Sequence, residues 1–272
     1  MDSNLINKIH NEDCLKIYKK IEDNSVDLVI LDPPYNVNAA SWDNIPDYIE
    51  WMQEILKESF RILKPNGSLY LWGMTKNNEF LKLKLWIDDT FNNYEFKNWI
   101  VWVHEVKIHK KLQDRYLTKH EDLLFYSGKN NTFNIVRDEP PIFQLKMHEG
   151  KYNENFFIEK NKLPPSQQKI FKNGLQLGSP AKSWWKGPSN QSAAKKYKKF
   201  AGYKSEWVCE RIISVSSNEN DFIFIPFGGT GTECEASIHL NRNFISCEID
   251  IERFEISKDR IEKAQNTILK FQ

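Results

Sequence analysis

Short apolar segments with the character of β-strands alternate along this chain with segments of helical periodicity, and this alternation constrains the fold most strongly. Because strands that are separated by helices pair in parallel, it predicts an α/β protein with a doubly wound, mostly parallel sheet. In such sheets ligands bind at the carboxyl ends of the strands. Strands are predicted at 25–31, 68–73, 98–103, 121–127, 221–227 and 243–250. Helices are predicted at about 13–21, 46–63, 77–92, 205–217, 233–240 and 251–270.

The composition narrows the classes of protein. The chain has 272 residues, 40% of them hydrophobic, which suffices for one large domain or for a core domain with an insertion. Its net charge of +1 indicates no particular partner. No apolar stretch is long enough to span a membrane, and the N-terminus lacks the pattern of a signal peptide. The four cysteines show no CxxC spacing and the histidines no metal-ligand spacing, so we expect a cytoplasmic protein with reduced thiols and no metal site.

The strand at 25–31 ends in an unusual stretch, Asp32-Pro33-Pro34-Tyr35. An amine on an aromatic ring is a poor nucleophile because its lone pair is delocalised, and hydrogen bonds to the Asp32 carboxylate and a proline carbonyl would favour a reactive, sp3-like nitrogen. The carboxylate would also stabilise the positive charge that develops during attack on a methyl group. Prolines fix the backbone, and the Tyr35 ring can stack on a heterocycle. The structural alternative is a Pro-Pro turn that closes a strand beside a core tyrosine.

A glycine-rich loop at 228–232, GGTGT, lies between a predicted strand and a predicted helix. Loops of this kind bring the backbone close to a ligand, although glycines after a strand are common in α/β proteins. Glu248 ends the next strand, where an acid can accept hydrogen bonds from both hydroxyls of a ribose. Together they indicate a nucleoside cofactor, and the alternative for Glu248 is a solvated acid.

The middle of the chain, 128–203, shows little sustained periodicity. Between 143 and 204 there are thirteen lysines, no arginine and three glutamates, and a second basic stretch lies at 107–119. Such stretches indicate either a solvated surface or contacts with a phosphate backbone. Trp184 and Trp185 are interpreted as core residues rather than base readers. The candidate DNA-binding residues are Lys107, Lys110, Lys111, Arg115, Lys195, Lys196, Lys198 and Lys199.

The order of these motifs resembles that of the β-group of DNA amino-methyltransferases, which use S-adenosyl-L-methionine. The resemblance covers most of the chain. It is carried by SVDLVILDPPYN (25–36), by WDNIPDYIEWMQEILKESFRILKPNGSLYLWG (42–73), by the region of PFGGTGT (226–232) and by NFISCEID (243–250). It implies a Rossmann-like methyltransferase fold in circularly permuted order, since the cofactor loop follows the catalytic motif. It also implies a catalytic domain at 1–127 and 204–272 with an inserted target-recognition region at 128–203.

Site residues follow from the same resemblance. Asp32 would accept the target amine with help from the Pro33 carbonyl, and Tyr35 would stack on the flipped base. Lys204 stands where the family has the lysine of a segment that walls the methionine end of the cofactor. The implied catalytic residues are Asp32, Pro33, Pro34 and Tyr35. The implied cofactor-binding residues are Asp13, Cys14, Asp32, Lys204, Phe227, Gly228, Gly229, Thr230, Gly231, Thr232 and Glu248. Two departures stand out. Ile225 replaces the acid that the family typically carries before Pro-Phe, and the segment that walls the methionine end is altered to Ala201-Gly202-Tyr203-Lys204-Ser205.

The activity implied by the resemblance is methyl transfer from S-adenosyl-L-methionine to N6 of an adenine flipped out of duplex DNA. Duplex DNA is therefore the expected partner, and the family also allows a homodimer and a cognate restriction endonuclease. Three alternatives remain. The first is cytosine N4 methylation, although cytosine enzymes more often carry Ser at the position of Asp32. The second is methylation of RNA, and the third is a DNA-binding protein that lost its cofactor through the change at Ile225.

Overall fold

The structure is a computed structural model. It describes residues 2–37, 43–74, 78–103, 118, 120–135, 171–172, 175–176, 182–186 and 204–269. The chain divides into two compact units. One comprises residues 1–134 with 183–272, and the other comprises 135–182. In the second unit, β6 (Phe171–Lys172) pairs antiparallel with β7 (Leu175–Gln176).

The first unit contains one large sheet and helices on both of its faces. Its described strands are β1 Lys8–His10, β2 Val26–Leu31, β3 Leu63–Gly73, β4 Glu95–Val103, β5 His120–Ser127, β8 Trp184–Lys186, β9 Phe222–Ile225 and β10 Asn243–Cys247. Its described helices are α1 Cys14–Tyr18, α2 Tyr48–Ile62, α3 Glu79–Thr90, α4 Glu206–Ser216, α5 Thr232–His239 and α6 Ile251–Leu269. Every strand and helix predicted from the sequence is present.

The sheet has eight strands in the order β1-β10-β9-β2-β3-β5-β4-β8. Only β5 runs antiparallel to its neighbours, β3 and β4. The prediction of a mostly parallel sheet is therefore confirmed. The reversal of β5 has a functional consequence, because its first residues lie at the edge where the parallel strands have their carboxyl ends.

Both faces of the sheet are buried, which explains why β2 reads as a continuous apolar run. Val29 and Leu31 belong to the apolar layer that contains residues of α1, α2 and α3. Leu28 and Ile30 belong to the opposite layer, with residues of α4, α5 and α6. Helices on both faces of a mostly parallel sheet are the doubly wound architecture.

One boundary differs from the sequence prediction. The sequence predicts a helix to about 63 and a strand only from 68, whereas β3 begins directly after α2, at Leu63. Leu63 pairs with Val26, and regular pairing resumes at Ser68 opposite Leu28. The irregular register between these pairs accommodates the proline and glycine within the strand.

The tryptophan pair at the edge of the sheet divides into a buried and an exposed residue. Trp185 in β8 is 7% exposed and packs in the apolar layer with α4, as predicted for a core residue. Trp184 is 54% exposed, so its interpretation as a core residue was wrong. Side chains alternate across a strand, so the two tryptophans point to opposite faces of β8. Among the described helices, none has a run of apolar residues long enough to cross a lipid bilayer.

Candidate active site

Four of the predicted functional segments follow neighbouring strands at one edge of the sheet. Asp13 comes shortly after β1, Asp32 directly follows β2, the glycine loop follows β9, and Glu248 directly follows β10. All four strands are parallel, so these segments lie at their carboxyl ends. The fold therefore brings together, along one edge, segments that are more than 200 positions apart in sequence.

Asp32 is the centre of a cluster of charged and polar side chains. The Lys204 ammonium donates a hydrogen bond to Asp32 Oδ1 over 2.8 Å and lies 2.9 Å from Glu121 Oε2. The Tyr35 hydroxyl lies 2.8 Å from Asp32 Oδ1 and 3.0 Å from Glu121 Oε2. It also accepts a hydrogen bond from the Lys204 ammonium over 2.9 Å. Lys204 thus links two carboxylates and one phenol.

The Lys204 side chain is only 3% exposed, whereas that of Asp32 retains 20% exposure. Lys204 immediately precedes α4, whose first turn is capped by the Ser205 hydroxyl, so the start of the helix fixes its backbone. Its ammonium also lies 4.8 Å from the centre of the Trp72 ring, at the end of β3. The lysine is therefore held from several sides.

Burial and charge act in opposite directions on the cluster. Burial raises the pKa of Asp32, and the Lys204 charge opposes that shift. Burial lowers the pKa of Lys204, but the charges of Asp32 and Glu121 outweigh it and raise the pKa overall. Burial and both carboxylates raise the pKa of Tyr35. The lysine is consequently charged, and it favours the ionised form of Asp32.

Only one oxygen of the Asp32 carboxylate is used in these contacts. Lys204 and Tyr35 both bind Oδ1, and no described residue donates a hydrogen bond to Oδ2. No described residue donates to the Pro33 carbonyl either. Two adjacent acceptors are thus available beside a carboxylate that is already fixed in orientation.

The turn after Asp32 is held by side chains from α2 and its approach. The Tyr48 hydroxyl donates to the Pro34 carbonyl over 2.8 Å. The Asp43 carboxylate accepts hydrogen bonds from the backbone N–H groups of Asn36, over 2.7 Å, and of Val37, over 3.1 Å. Asn36 itself has a positive φ of 53°, a conformation that asparagine tolerates better than most residues. These contacts fix the backbone that carries the two prolines.

An open cleft lies beside the glycine loop. It is lined by Asp13, Cys14, Trp51, Pro226, Phe227, Cys247, Glu248 and Ile249. Aromatic rings at Trp51 and Phe227, with centres 5.8 Å apart, and carboxylates at Asp13 and Glu248 provide the apolar walls and acceptors that a nucleoside needs. Of the predicted cofactor residues, Asp13, Cys14, Phe227 and Glu248 therefore line one cleft.

The polar groups of this cleft are positioned by local structure. The Asp13 side chain caps α1 by accepting the backbone N–H of Leu15 at 2.7 Å. Glu248 Oε2 accepts the backbone N–H of Gly229 at 2.9 Å, so the acid also ties the glycine loop to the end of β10. Burial raises the pKa of Glu248, and its bonds to backbone N–H groups oppose that shift.

The glycine loop is close-packed at two positions and open at one. A Cβ atom on Gly228 would lie 2.5 Å from Ser246 Oγ, and one on Gly231, where φ is +82°, would lie 2.6 Å from Ser257 Oγ. Gly229, with a φ of +51°, has open space where its side chain would be. Thr230 and Thr232 are buried, and the Thr232 hydroxyl accepts a hydrogen bond from the Arg260 side chain over 3.0 Å. The loop presents backbone rather than side chains.

The roles of Glu121 and Lys204 in the structure differ from those predicted from the sequence. Glu121 was not identified, because an acid at the start of a strand reaches this edge only if that strand is antiparallel. Lys204 was expected to wall the cofactor, and the structure places its ammonium on Asp32 and Glu121. The eight candidate DNA-binding residues at 107–115 and 195–199 lie outside the described residues.

Comparison with known proteins places this arrangement in a family. The model of a family described as DNA methylase matches residues 26–259. M.BamHI, a type II methyltransferase of Bacillus amyloliquefaciens, is 30% identical over 95% of this chain, which spans 59% of that relative's length. The DNA adenine methyltransferase YhdJ of Escherichia coli K12 is 28% identical, and the match covers 93% of this chain and 82% of the length of YhdJ.

A solved structure resembles this chain in fold. The complex of M1.HpyAVI with SAM has a TM-score of 0.58 and 24% sequence identity, and the match covers 93% of this chain and 98% of that one. Similarity at this identity concerns the fold, which confirms the Rossmann-like methyltransferase fold expected from the sequence. Because the family model covers most of the sequence, this chain belongs to the DNA methylase family.

Proposed function

We propose that this chain transfers a methyl group from S-adenosyl-L-methionine to the exocyclic N6 amine of an adenine flipped out of duplex DNA. One observation carries the proposal. Asp32 is anchored through Oδ1 by Lys204 and Tyr35, which leaves Oδ2 and the neighbouring Pro33 carbonyl as acceptors. Two acceptors match the two hydrogens of a primary amine.

The chemistry follows from these acceptors. An amine that donates one hydrogen to Asp32 Oδ2 and the other to the Pro33 carbonyl is drawn toward sp3 geometry, so its lone pair becomes available. The ionised Asp32 then stabilises the positive charge that the nitrogen acquires. The new C–N bond takes its electrons from that lone pair, the C–S electrons stay on the departing thioether, and the surplus proton of the amine passes to solvent.

The cleft beside the glycine loop has the groups that this cofactor requires. Trp51 and Phe227 offer apolar walls for adenine, Asp13 an acceptor for its amine, and Glu248 acceptors for the ribose hydroxyls. When bound, S-adenosyl-L-methionine supplies an electrophilic methyl group on a sulfonium centre. Gly228, Gly229 and Gly231 let the loop backbone approach the ligand, as glycine loops after a strand do in nucleotide-binding folds.

Adenine is favoured over cytosine by two observations. The resemblance implies that cytosine enzymes more often carry Ser where this chain has Asp32, and the relative YhdJ is named a DNA adenine methyltransferase. Cytosine N4 is the second candidate, because its amine would use the same two acceptors and the family model covers both N6 and N4 enzymes.

The partners belong to the proposal as well. Residues 128–203, with the lysines at 195–199, would position the duplex through phosphate contacts, and contacts to base edges would select the sequence. A cognate restriction endonuclease is an expectation from the family resemblance. A homodimer remains an expectation from the resemblance, and the mass of the protein in solution tests it.

A nucleoside assay tests the function directly. The purified protein and S-adenosyl-L-methionine are incubated with unmethylated duplex DNA of mixed sequence, and the digested nucleosides are identified by mass spectrometry. We expect N6-methyladenine with the wild type and none with Asp32→Ala. N4-methylcytosine would establish the second candidate, and the absence of any methylated base across several DNAs would contradict both.

A further inference from the structure

Glu121 is an acid at the catalytic edge to which the proposed chemistry assigns no role. It is the second residue of β5, and because β5 runs antiparallel to β3, its start lies where the parallel strands have their carboxyl ends. The Glu121 side chain is 18% exposed, and its Oε2 atom lies 2.9 Å from the Lys204 ammonium and 3.0 Å from the Tyr35 hydroxyl. Glu121 therefore binds the same two groups that anchor Asp32.

The hydrogen bonds of the Lys204 ammonium are divided between the two acids. An ammonium has three N–H donors. Three acceptors lie within 2.9 Å of it, namely Asp32 Oδ1, Glu121 Oε2 and the Tyr35 hydroxyl. Without Glu121, the hydrogen that it accepts would need another partner, and Oδ2 belongs to the carboxylate that the ammonium already binds. Glu121 thus keeps the ammonium on the Oδ1 side of Asp32 and leaves Oδ2 for the amine.

The two acids and the lysine also set the charge of the cluster. When both carboxylates are ionised, two negative charges face the single positive charge of Lys204, so one negative charge is in excess. An amine that attacks a methyl group becomes cationic, and the excess charge stabilises it. Because the Lys204 side chain is only 3% exposed, water screens these charges weakly. With a neutral group in place of Glu121, the cluster would carry no net charge.

The position of Glu121 on β5 separates it from the acid beside it. Leu123, two positions further along, lies in the apolar layer with α4. Side chains alternate across a strand, so Glu121 points to the same face as Leu123, and Asp122 points to the opposite face. Asp122 Oδ1 accepts a hydrogen bond from the Trp99 indole N–H over 2.7 Å. Asp122 is therefore a matched control, since it is an acid on the same strand with a different partner.

We propose that Glu121 is a positioning residue for methyl transfer, which holds the Lys204 ammonium on the Oδ1 side of Asp32 and supplies the excess negative charge beside the amine. The assignment rests on the proposed function, since it assumes that reaction. Glu121 acts through Lys204 and Tyr35. Its loss should therefore lower kcat and leave the binding of cofactor and DNA nearly unchanged.

The pH dependence of kcat separates this role from a purely structural one. Burial raises the pKa of Asp32, the Lys204 charge opposes that shift, and the Glu121 charge adds to it. Glu121→Gln should therefore lower the pKa of Asp32 and move the acid limb of the rate profile to lower pH. On the plateau we expect kcat to fall about 10-fold, while the Kd for S-adenosyl-L-methionine and the KM for duplex DNA change less than about twofold.

Other titratable groups surround Asp32 and are the same in the wild type and the variants. Those whose charges interact with it are Tyr48 on α2, Cys209 on α4 and Glu233 on α5. Among the described residues, none of these three forms a hydrogen bond with Asp32. A shift of the acid limb in the variants therefore reports on Glu121 and Lys204.

Three further variants sharpen the comparison. Glu121→Asp keeps the charge, so it should retain the position of the acid limb with a smaller loss of kcat. Asp122→Asn keeps the acceptor for Trp99 and should change neither the limb nor kcat. In a Lys204→Met background, Glu121→Gln should return the limb toward lower pH, because it removes one of two carboxylates that no longer have a cation between them.

Several results would overturn the assignment. An acid limb that stays in place or moves to higher pH in Glu121→Gln would do so, as would equal shifts in Glu121→Gln and Asp122→Asn. If circular dichroism shows that Glu121→Gln is unfolded, Glu121→Asp decides, and a limb that moves in this charge-retaining variant contradicts the assignment. A wild type that methylates no base in any duplex DNA would instead overturn the proposed function, and the assignment with it.

Discussion

The Lys204 ammonium donates a hydrogen bond to the Asp32 carboxylate through Oδ1, at 2.8 Å, and none to Oδ2. The same ammonium lies 2.9 Å from Glu121, so one buried cation serves two acids. This asymmetry fixes the orientation of Asp32 and leaves its second oxygen for a ligand. Catalysis by positioned acceptors depends on such pre-organisation.

Removal of the Lys204 charge should change the pH dependence of methylation. Asp32 must be ionised to act, and the Lys204 charge opposes the rise in its pKa caused by burial. Lys204→Met should therefore raise the pKa of Asp32 further, so the acid limb of the rate profile moves to higher pH. At pH 7 we expect a loss of at least about tenfold in kcat, measured on duplex DNA between pH 5.5 and 9. Lys204→Arg, which keeps the charge, should retain the position of the limb better, and an unshifted limb in Lys204→Met would refute this role.

The contact between Tyr48 and the Pro34 carbonyl should matter for turnover rather than for cofactor affinity. Tyr48→Phe removes the donor that fixes the catalytic turn, and we expect kcat to fall about 3- to 10-fold, the value of one hydrogen bond, with little change in the Kd for S-adenosyl-L-methionine. Tyr94→Phe is the matched control, since its hydroxyl binds the Leu63 carbonyl at 3.0 Å, at the opposite end of β3. Equal effects of the two variants on kcat would argue against a role of the turn.

The glycine loop should tolerate a side chain at Gly229 better than at Gly231. Both have positive φ, but a Cβ on Gly231 would also meet Ser257 Oγ at 2.6 Å, whereas the space at Gly229 is open. We expect Gly231→Ala to lower the free energy of unfolding by about 2–4 kcal/mol and Gly229→Ala by about 1 kcal/mol. Urea unfolding of the two variants provides the comparison, and the reverse order would contradict the packing described for the loop.

Ionisation of the buried Glu233 carboxyl should lower the stability of the free protein as the pH rises. Its pKa is about 7 in the folded state against an ordinary value of 4.5, so the folded state binds the proton more tightly. The stability linked to this group is complete below about pH 4.5 and is lost as the pH rises through 7. Glu233→Gln mimics the protonated form and should therefore be more stable than the wild type at pH 8, by up to about 3 kcal/mol, with a smaller advantage at pH 5.5. Chemical denaturation at both values measures this, and a pH-independent difference would exclude the linkage.

Much of the site could be predicted from the sequence, since it depends on local patterns. The apolar run of β2 with Asp32 at its end, the glycines after β9 and Glu248 after β10 each identify a strand and its carboxyl end. Parallel pairing then places them at one edge without further information. The structure confirms this pairing, and it adds the anchoring of Asp32 through a single oxygen.

The residues that were missed depend on long-range features. Glu121 joins Asp32 only because β5 runs antiparallel, and a single sequence does not show the direction of a strand. Glu233 resembles any acid in the first turn of a helix, where acids are common, until its burial against α4 is known. Trp184 and Trp185 differ in exposure because β8 lies at an edge of the sheet, which composition does not reveal.

The central claim is that Asp32 accepts a hydrogen bond from the target amine. The rate of a single turnover tests it most directly. Asp32→Asn keeps the shape of the side chain but removes its charge. With S-adenosyl-L-methionine and duplex DNA at saturating concentrations, we predict that the rate of N6-methyladenine formation falls at least about 100-fold, the scale of a lost transition-state contact. A rate within a few-fold of the wild type would contradict the account.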